Sequence, residues 1–432
     1  LGGYLDHRAQ SGLSRRGALI AGIATNLGLI GYFKYTNFFV DTLAAVRGQS
    51  FSVPPIVLPL AISFFTFQQI AYLVDAANGQ SRDRNFLHYA LFVSFFPQLI
   101  AGPIVHHQEV IPQLRDKTLF RPQWRHLSIG ITIFALGLSK KVLLADTVAP
   151  YANEIFDAAA NGEAISALEA WTGALAYTFQ LYFDFSGYSD MAIGAARLFG
   201  IKLPLNFNSP YKALSISDFW RRWHITLSNF LRDYLYIPLG GNRLGPPRQV
   251  SNLLMTMLLG GLWHGAGWTF VFWGGLHGVY LGIHRFWEQR VGRLAPTGWQ
   301  ILLYWGLTFG AVVVSWVFFR APNFVTALTI LQAMFGGQAL LTRVHLSADF
   351  SIVALQLLAL FAITMGFPNT QQWLQSFEPA LNSAIPSIKP SQPPAWQWSP
   401  KLWTSAVMGI LIFSAFKVMF EGTQSEFLYF NF

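Results

Sequence analysis

The sequence predicts an all-α polytopic membrane protein, a helical bundle in which some helices are broken or re-entrant. Of its 432 residues, 53% are hydrophobic and 11% are charged, whereas soluble domains carry about 25% charged residues. Several charge-free stretches exceed the roughly 20 apolar residues that cross a bilayer as a helix. The stretch from Gln249 to His284 is too long for one span, so it predicts two segments or a broken helix. No soluble domain or fixed-period repeat is present, so we expect one membrane domain, residues 1–432.

Hydrophobic periodicity and helix breakers place nine spans in this domain. The predicted spans lie near residues 17–40, 54–75, 127–148, 165–183, 250–266, 268–286, 298–319, 350–367 and 402–420. Residues 86–104 are interrupted by Pro97 and by Gly102-Pro103, which predicts a broken or re-entrant helix covered by protein. Residues 378–400 are rich in proline and serine and are predicted to form a polar loop.

The placement of the charges indicates a membrane protein and argues against a nucleic-acid partner, and the cysteine content excludes thiol chemistry. Net charge is +9, but the cations lie mostly in short loops, where positive residues favour the cytoplasmic face. We therefore expect membrane lipid around the chain and no nucleic-acid partner. Since the chain contains no cysteine, disulfides and thiol nucleophiles are excluded.

Trp263-His264, inside the longest charge-free stretch, is the leading candidate for chemistry. An ionisable ring at membrane depth is costly and is a functional hypothesis by default. A neutral imidazole at His264 could accept a proton from an attacking hydroxyl. Trp263 and Trp268 could wall the pocket, since Trp268 lies one helical turn from His264 on the same face. The alternatives are a core histidine bonded to a backbone carbonyl, and tryptophans that only pack or anchor the interface.

The other histidines do not suggest a metal site. His106, His107, His277 and His284 lack ligand spacing with carboxylates or cysteines, so no metal is predicted. No nucleophile elbow, P-loop or dinucleotide fingerprint is found in the sequence either.

A second polar region covers residues 214–238, which have helical spacing but carry too many charges to face lipid. Seven Lys or Arg and two Asp occur between Lys202 and Arg248. A basic segment against an apolar bundle suits a phosphate-bearing ligand, because guanidinium groups match phosphate oxygens. An ordinary positive loop on the cytoplasmic face is the alternative.

Within this region, residues 217–228 hold the individual candidates. Asp218 and Arg222 are four apart and could pair on one helical face. Arg221 and Arg222 are candidate contacts for the phosphates of such a ligand. The ordinary-loop alternative does not account for Trp223 or for a second histidine, His224.

A third polar region, residues 182–190, interrupts an apolar pattern with two acids and two serines around a glycine. The pattern predicts a helix break followed by a new N-cap at Ser186 or Ser189. A catalytic pair between Asp184 and a histidine is the alternative, and the structural break is favoured.

Two glycine stripes predict close helix packing. Gly261 and Gly265 form one pair, and Gly274, Gly278 and Gly282 form a second stripe. Small residues at this spacing let backbones approach where lipid supplies no hydrophobic drive.

Six ordered motifs resemble the membrane-bound O-acyltransferase (MBOAT) family, most closely its bacterial alginate O-acetyltransferase branch. The motifs are Leu58–Gln68, Phe96–Ile104, the Asp184 segment, Asp218–Ser228, Tyr236–Arg243 and Trp263-His264-Gly265, and the ending Phe427–Phe432 is similar too. Because the chain begins at Leu1 rather than at a methionine, we expect it to lack membrane helices that relatives carry upstream.

The resemblance implies an MBOAT fold, with a central funnel, and a membrane O-acyltransferase. It assigns the catalytic histidine to His264 and the second polar site to His224. The residues that we expect to bind the substrate or the donor are Arg221, Arg222, Trp223, Trp263, Trp268 and Asp184. The resemblance also implies the bacterial inner membrane as the location and no bound cofactor. The expected acyl donor is acetyl-CoA or a related carrier on the cytoplasmic side. Periplasmic acetyltransferase partner proteins are expected to modify a polysaccharide acceptor.

The expected function is therefore transfer of an acetyl group across the membrane for O-acetylation of an exopolysaccharide such as alginate. Other acceptors remain open in the same class: cellulose, peptidoglycan, or teichoic acid by D-alanylation. A polysaccharide transporter or export channel is the alternative from another class, since it would also use broken helices and buried polar groups.

Overall fold

The computed structural model describes residues 12–49, 54, 56–80, 85–100, 102–116, 119, 121–292, 296–336, 345–381, 397–422 and 427–428. Within these residues the chain is helical, and its only β-type contact is an isolated bridge between Pro204 and Leu381. The all-α prediction is thus confirmed. Most of the predicted loop at 378–400 lies outside the described residues.

The α-helices follow one another along the chain, with connections of different lengths between them. They are α1 (Gly12–Ile30), α2 (Thr36–Arg47), α3 (Ile62–Ala77), α4 (Phe86–Ser94), α5 (His107–Leu114), α6 (Trp124–Ser139), α7 (Asp146–Ala160), α8 (Ala167–Leu198), α9 (Ile216–Trp220), α10 (Ile225–Leu231), α11 (Pro246–His264), α12 (Trp268–Val291), α13 (Trp299–Arg320), α14 (Phe324–Phe335), α15 (Phe350–Gly366), α16 (Thr370–Trp373) and α17 (Leu402–Glu421). Two π-helical turns, Gly31–Tyr35 and Lys140–Ala145, join α1 to α2 and α6 to α7 into continuous helices.

Helices occupy all nine predicted span positions, but four stretches of the described chain are long and apolar enough to cross a membrane by themselves. These are Arg15–Arg47, Trp124–Ala160, Trp299–Arg320 and Leu402–Glu421. Helix α8 is not among them although it has 32 residues, because its polar side chains lower its mean hydropathy. Most of these side chains are buried inside the protein. Simple hydropathy therefore underestimates a helix whose neighbours are other helices.

Several predicted boundaries are wrong for local reasons. The span predicted at 54–75 begins at Ile62, after Pro59 and after Ala61, whose φ of 62° is left-handed. The span predicted at 127–148 continues to Ala160 through the second π-helical turn. The broken helix predicted at 86–104 is confirmed: α4 ends at Ser94, a 3-10 turn covers Phe96–Gln98, and α5 starts at His107.

The helix break predicted within residues 182–190 is also wrong. Helix α8 runs without interruption from Ala167 to Leu198, and its N-cap is Ser166. The acids need no break because lysines of the second π-helical turn face them. Lys141 Nζ lies 2.7 Å from Asp184 Oδ1, and Lys140 Nζ lies 2.6 Å from Asp190 Oδ2. Buried charges at membrane depth are expected to pair in this way.

Glycines set the contact between α6 and α8. A Cβ on Gly137 would lie 2.6 Å from the carbonyl oxygen of Gly187, and one on Gly194 would lie 2.6 Å from the backbone nitrogen of Phe134. These distances leave no room for a side chain. Backbone contact of this kind brings the lysines and acids of the two helices together.

The long charge-free stretch forms a tight hairpin of α11 and α12, broken at Gly265–Gly267. A Cβ on Gly274 would lie 2.2 Å from the carbonyl oxygen of Met257, and one on Gly261 would lie 2.2 Å from that of Phe270. The packing role predicted for these glycines is confirmed. The hairpin therefore fixes where the end of α11, and with it His264, lies.

Candidate active site

The structure brings together His224 and His264, the two histidines singled out in the sequence. Their ring centroids are 6.4 Å apart, and the residues are 0% and 3% exposed. His264 is the last residue of α11, and His224 immediately precedes α10. Neither ring faces lipid, so both belong to an enclosed polar site within the bundle.

The end of α11 is held by side chains from the first π-helical turn. Lys34 Nζ donates to the carbonyl oxygen of Trp263 at 2.5 Å and approaches that of His264 at 3.4 Å. Tyr35 Oη donates to the carbonyl oxygen of Leu262 at 2.8 Å. The C-terminal carbonyls of a helix attract a cation, so Lys34 satisfies the helix end that carries His264.

Aromatic rings enclose the His264 imidazole. Trp263, Trp273 and Phe319 contact it edge-on, with ring centroids 4.9, 5.1 and 5.3 Å away. The prediction that Trp263 lines the site agrees with this placement. Such a wall excludes water and keeps the ring away from lipid.

The prediction that Trp268 shares a face with His264 is wrong. Because α11 ends at His264 and α12 begins at Trp268, no common helix relates the two residues. Trp268 is 53% exposed, packs on Phe38 and donates its ring N–H to Thr42 at 3.2 Å. It anchors the hairpin against α2.

His224 is held by its backbone and by one side chain. Its φ of 42° is left-handed, a conformation that is uncommon outside glycine and that occurs often at functional sites. Its Nδ1 lies 3.0 Å from Asn206 Oδ1. Phe185 of α8 packs edge-on against the ring at 4.7 Å, so the ring orientation is set from three sides.

Residues 214–238 do not form one helix. They divide into α9, α10 and a third π-helical turn, Arg232–Tyr236, with His224 at the first break. The predicted pair is present: Arg222 Nε donates to Asp218 Oδ2 at 2.9 Å. Partial burial, together with the nearby Arg222 charge, lowers the pKa of Lys212 from its ordinary value. The segment is therefore a series of short helical pieces that carry basic residues.

The tryptophan and arginines of this segment have separate surroundings. Trp223 is buried among aromatic rings and stacks on Phe219 with centroids 5.6 Å apart. Arg221 lines a cavity of about 630 Å³ between α9, α12 and α13. Tyr280, His284 and Glu288 line the same cavity. Arg221 is thus a predicted donor contact that lies at a ligand-sized space.

Between this cavity and the histidine pair stands a group of buried rings. Trp220 donates its ring N–H to His277 Nδ1 at 3.2 Å, and His277 Nε2 lies 2.9 Å from Ser315 Oγ. Trp273 contacts both His277 and His264, with centroids 4.9 and 5.1 Å away. His277 is thus part of the wall of the site and is hydrogen-bonded on both ring nitrogens.

Asp184 does not pair with either histidine. Its carboxylate faces Lys141 and accepts from the backbone N–H of Leu428 at 3.2 Å. This arrangement favours the structural alternative over the catalytic Asp184–His pair. Phe185, the next residue, is the one that reaches His224.

Sequence reasoning missed Lys34 and Asn206. Lys34 could have been found, because it is the one charged residue in the predicted span 17–40, and an ionisable residue inside a span is a functional hypothesis. Asn206 gave no signal, since an asparagine in a polar connection is ordinary.

Comparison with known proteins identifies the family. The model of the membrane-bound O-acyltransferase family, MBOAT, matches residues 56–326. The chain is 43% identical to the peptidoglycan O-acetyltransferase of Helicobacter pylori, over 99% of this chain and 84% of the relative. It is 39% identical to the probable alginate O-acetylase AlgI of Pseudomonas putida, over 96% and 84%.

A more distant relative is the teichoic acid D-alanyltransferase of Bacillus subtilis, 28% identical over 61% of this chain and 69% of that protein. The matched family segment includes both buried histidines and the helices that hold them. The fold, the enclosed site and these similarities together show that the chain belongs to the membrane-bound O-acyltransferase family and is an acyltransferase.

Proposed function

We propose that this protein moves an acetyl group from a cytoplasmic donor across the membrane for O-acetylation of a cell-envelope polysaccharide. The observation that carries the proposal is the enclosed pair His224 and His264, 6.4 Å apart. An acetyl donor is supported by relatives named as peptidoglycan O-acetyltransferase and alginate O-acetylase. The bacterial inner membrane is the proposed location.

In the proposed reaction His264 is the general base. It takes the proton of the attacking hydroxyl while the oxygen forms a bond to the acetyl carbonyl carbon. The tetrahedral intermediate collapses, the carbon–sulfur bond of the thioester breaks, and the proton passes from His264 to the thiolate. The products are an acetyl ester and a free thiol, so atoms and charge balance. His224 orients the donor or polarises its carbonyl.

The donor is proposed to be acetyl-CoA or a related acyl carrier, and no bound cofactor is required. The cavity lined by Arg221 suits such a ligand because a guanidinium group matches phosphate oxygens. Its apolar lining, including Leu303 and Leu307, suits a pantetheine-like arm. Arg222 forms an ion pair with Asp218 and so helps to stabilise this basic segment.

For the acceptor we retain an exopolysaccharide such as alginate, reached through periplasmic acetyltransferase partner proteins. A second candidate is peptidoglycan, favoured by the 43% identity to the Helicobacter pylori enzyme over nearly the whole chain. Cellulose and D-alanylation of teichoic acid are less supported. Membership of the acyltransferase family disfavours the transporter alternative.

The test is transfer of labelled acetyl groups in proteoliposomes, comparing wild type with His264→Ala and His224→Ala. Since a positioned base contributes about 10²–10⁴-fold, His264→Ala is expected to lose at least about 10²-fold in kcat while the protein still inserts and folds. Wild-type transfer by folded His264→Ala contradicts the mechanism.

The acceptor is tested by expressing the chain in two bacterial strains, one lacking its own alginate acetylase and one lacking its own peptidoglycan acetyltransferase. Mass spectrometry of alginate and of muropeptides then shows which polymer regains acetyl esters. Restoration of muropeptide esters alone would replace alginate with peptidoglycan in the proposal. Restoration of neither, with acetyl transfer still present in proteoliposomes, would exclude both polymers.

A further inference from the structure

Asn206 makes a set of contacts whose directions are fixed by chemistry. The backbone N–H of Thr226 points at Asn206 Oδ1 at 3.3 Å, and an amide N–H can only donate, so the facing atom is the oxygen. Asn206 Nδ2 then donates to Ser189 Oγ at 3.1 Å. The orientation of the Asn206 amide is therefore determined by its neighbours.

Thr226 supports the same orientation. Its Oγ1 accepts the backbone N–H of Ile104 at 3.0 Å. Its hydroxyl proton is then directed to Asn206 Oδ1, 2.9 Å away. The backbone carbonyl of Asn206 also accepts the N–H of Ile225 at 2.9 Å. One asparagine thus holds Ile225 and Thr226, the two residues that follow His224.

His224 Nδ1 lies 3.0 Å from the same oxygen, Asn206 Oδ1. An amide oxygen has no proton to give, so the hydrogen bond exists only if Nδ1 carries the hydrogen. A neutral imidazole has one N–H, which leaves the lone pair on Nε2. The tautomer of His224 follows from three hydrogen bonds that converge on one atom.

We propose that Asn206 is a positioning residue that fixes His224 as the Nδ1-protonated tautomer, so that His224 acts through Nε2 as a hydrogen-bond acceptor. This inference rests on the proposed function and deepens it. Of the two roles open to His224, polarising the acetyl carbonyl needs an N–H at Nε2 and is excluded for the neutral ring. Accepting a hydrogen bond from the donor is the role that remains, because His264 takes the single proton of the incoming hydroxyl.

The tautomer is tested directly by solid-state NMR of protein labelled with ¹⁵N-histidine in lipid bilayers. The difference between wild type and His224→Gln identifies the His224 signals. We expect a protonated Nδ1 and an unprotonated Nε2 near neutral pH. A protonated Nε2 with a bare Nδ1 overturns the inference whatever the activity.

Kinetics test the positioning role. Asn206→Leu removes the acceptor at similar volume and is expected to lower kcat on the order of 10²-fold, as a small displacement of a positioned catalytic group can do, with a smaller change in KM. Asn206→Asp keeps an oxygen acceptor, and Ser189 can rotate its hydroxyl to donate. Since a carboxylate favours the protonated imidazole, this variant should keep activity but move the acid limb of the pH–rate profile to higher pH.

Thr226→Val is the matched control. It removes a hydroxyl bonded to the same Asn206 oxygen but leaves the His224 contact, so it should lower thermal stability with the acid limb in place. His264, 6.4 Å away, and Lys34, at the end of α11, are unchanged in all these variants. Wild-type kcat in Asn206→Leu, or an unmoved limb in Asn206→Asp, contradicts the positioning role. Full activity in His224→Ala would instead defeat the proposed use of His224.

Discussion

At the scale of single residues, the site depends on how two histidines are held. His264 ends a helix whose carbonyls are bonded by Lys34 and Tyr35. His224 adopts a left-handed backbone and bonds Asn206. In both cases a residue outside the local segment supports the histidine, through the helix end at His264 and through the ring at His224. Catalytic groups require this support because small displacements cost rate.

Lys34→Met should weaken both stability and catalysis. The methionine fills similar volume but cannot donate to the carbonyls of Trp263 and His264. Loss of a hydrogen bond from a charged group costs about 1.5–3 kcal/mol, and the freed end of α11 should lower kcat more than KM. Thermal unfolding in detergent and acetyl transfer measure the two effects.

Tyr35→Phe is the control for Lys34→Met, since it removes one neutral hydrogen bond to Leu262 from the same turn. We expect a smaller loss, about 0.5–1.5 kcal/mol. Equal melting temperatures and rates for Lys34→Met and wild type would show that Lys34 does not support the site.

At the scale of elements, close backbone contact decides the geometry. Gly274 and Gly261 bring α11 and α12 together, and Gly137 and Gly194 do the same for α6 and α8. The first contact places His264, and the second aligns Lys140 and Lys141 with the acids of α8. The ion pairs of these acids are therefore compatible with an unbroken α8, although the sequence alone predicted a break.

Gly274→Ala tests the hairpin contact. A Cβ there would lie 2.2 Å from the carbonyl oxygen of Met257, so α11 and α12 must separate. Overpacking of this kind typically costs about 1–3 kcal/mol, and the displaced His264 should also lose activity. Thermal stability and acetyl transfer are measured together.

The matched control is Gly310→Ala on α13, where an added Cβ meets nothing within 4 Å. Because alanine favours a helix interior over glycine by roughly 1 kcal/mol, this variant should be neutral or slightly more stable. A Gly274→Ala protein that behaves like Gly310→Ala would remove the packing argument.

At the scale of the whole molecule, buried aromatic rings form the centre of the protein, and the outer helices present apolar side chains that suit contact with lipid. Outer helices expose large apolar side chains, among them Leu355, Leu402 and Phe413, which are 69%, 89% and 70% exposed. Such exposure is expected for a surface in contact with lipid. The buried rings around His224 and His264 form the opposite environment, where a polar reaction can be shielded from lipid.

Orientation can be measured directly because the chain has no cysteine. The last two turns of helix α12 carry Arg285 and Arg290, and positive residues favour the cytoplasmic side. Gln289→Cys should therefore react with a membrane-impermeant maleimide from the cytoplasmic side. Ala266→Cys, at the exposed turn of the α11–α12 hairpin, should react from the opposite side.

Cysteine-free wild type is the background control for this labelling, and mass spectrometry identifies the modified residue. Labelling of both positions from one side would show that the hairpin does not cross the membrane. A reversed pattern would contradict the proposal that the Arg221 cavity binds a cytoplasmic donor.

The sequence by itself determined the all-helical membrane class, the broken segments at 86–104 and 249–284, the family, and His224 and His264 as the residues of interest. These follow from composition, helix breakers and local motifs. Only the tertiary structure decided that α8 is continuous, that Trp268 lies away from His264, and that Lys34 and Asn206 hold the two histidines. The physical reason is that ion pairs, capping contacts and hydrogen-bond directions join residues far apart in the chain. A local sequence pattern predicts that a polar group is buried, but only the folded structure shows which residue is its partner.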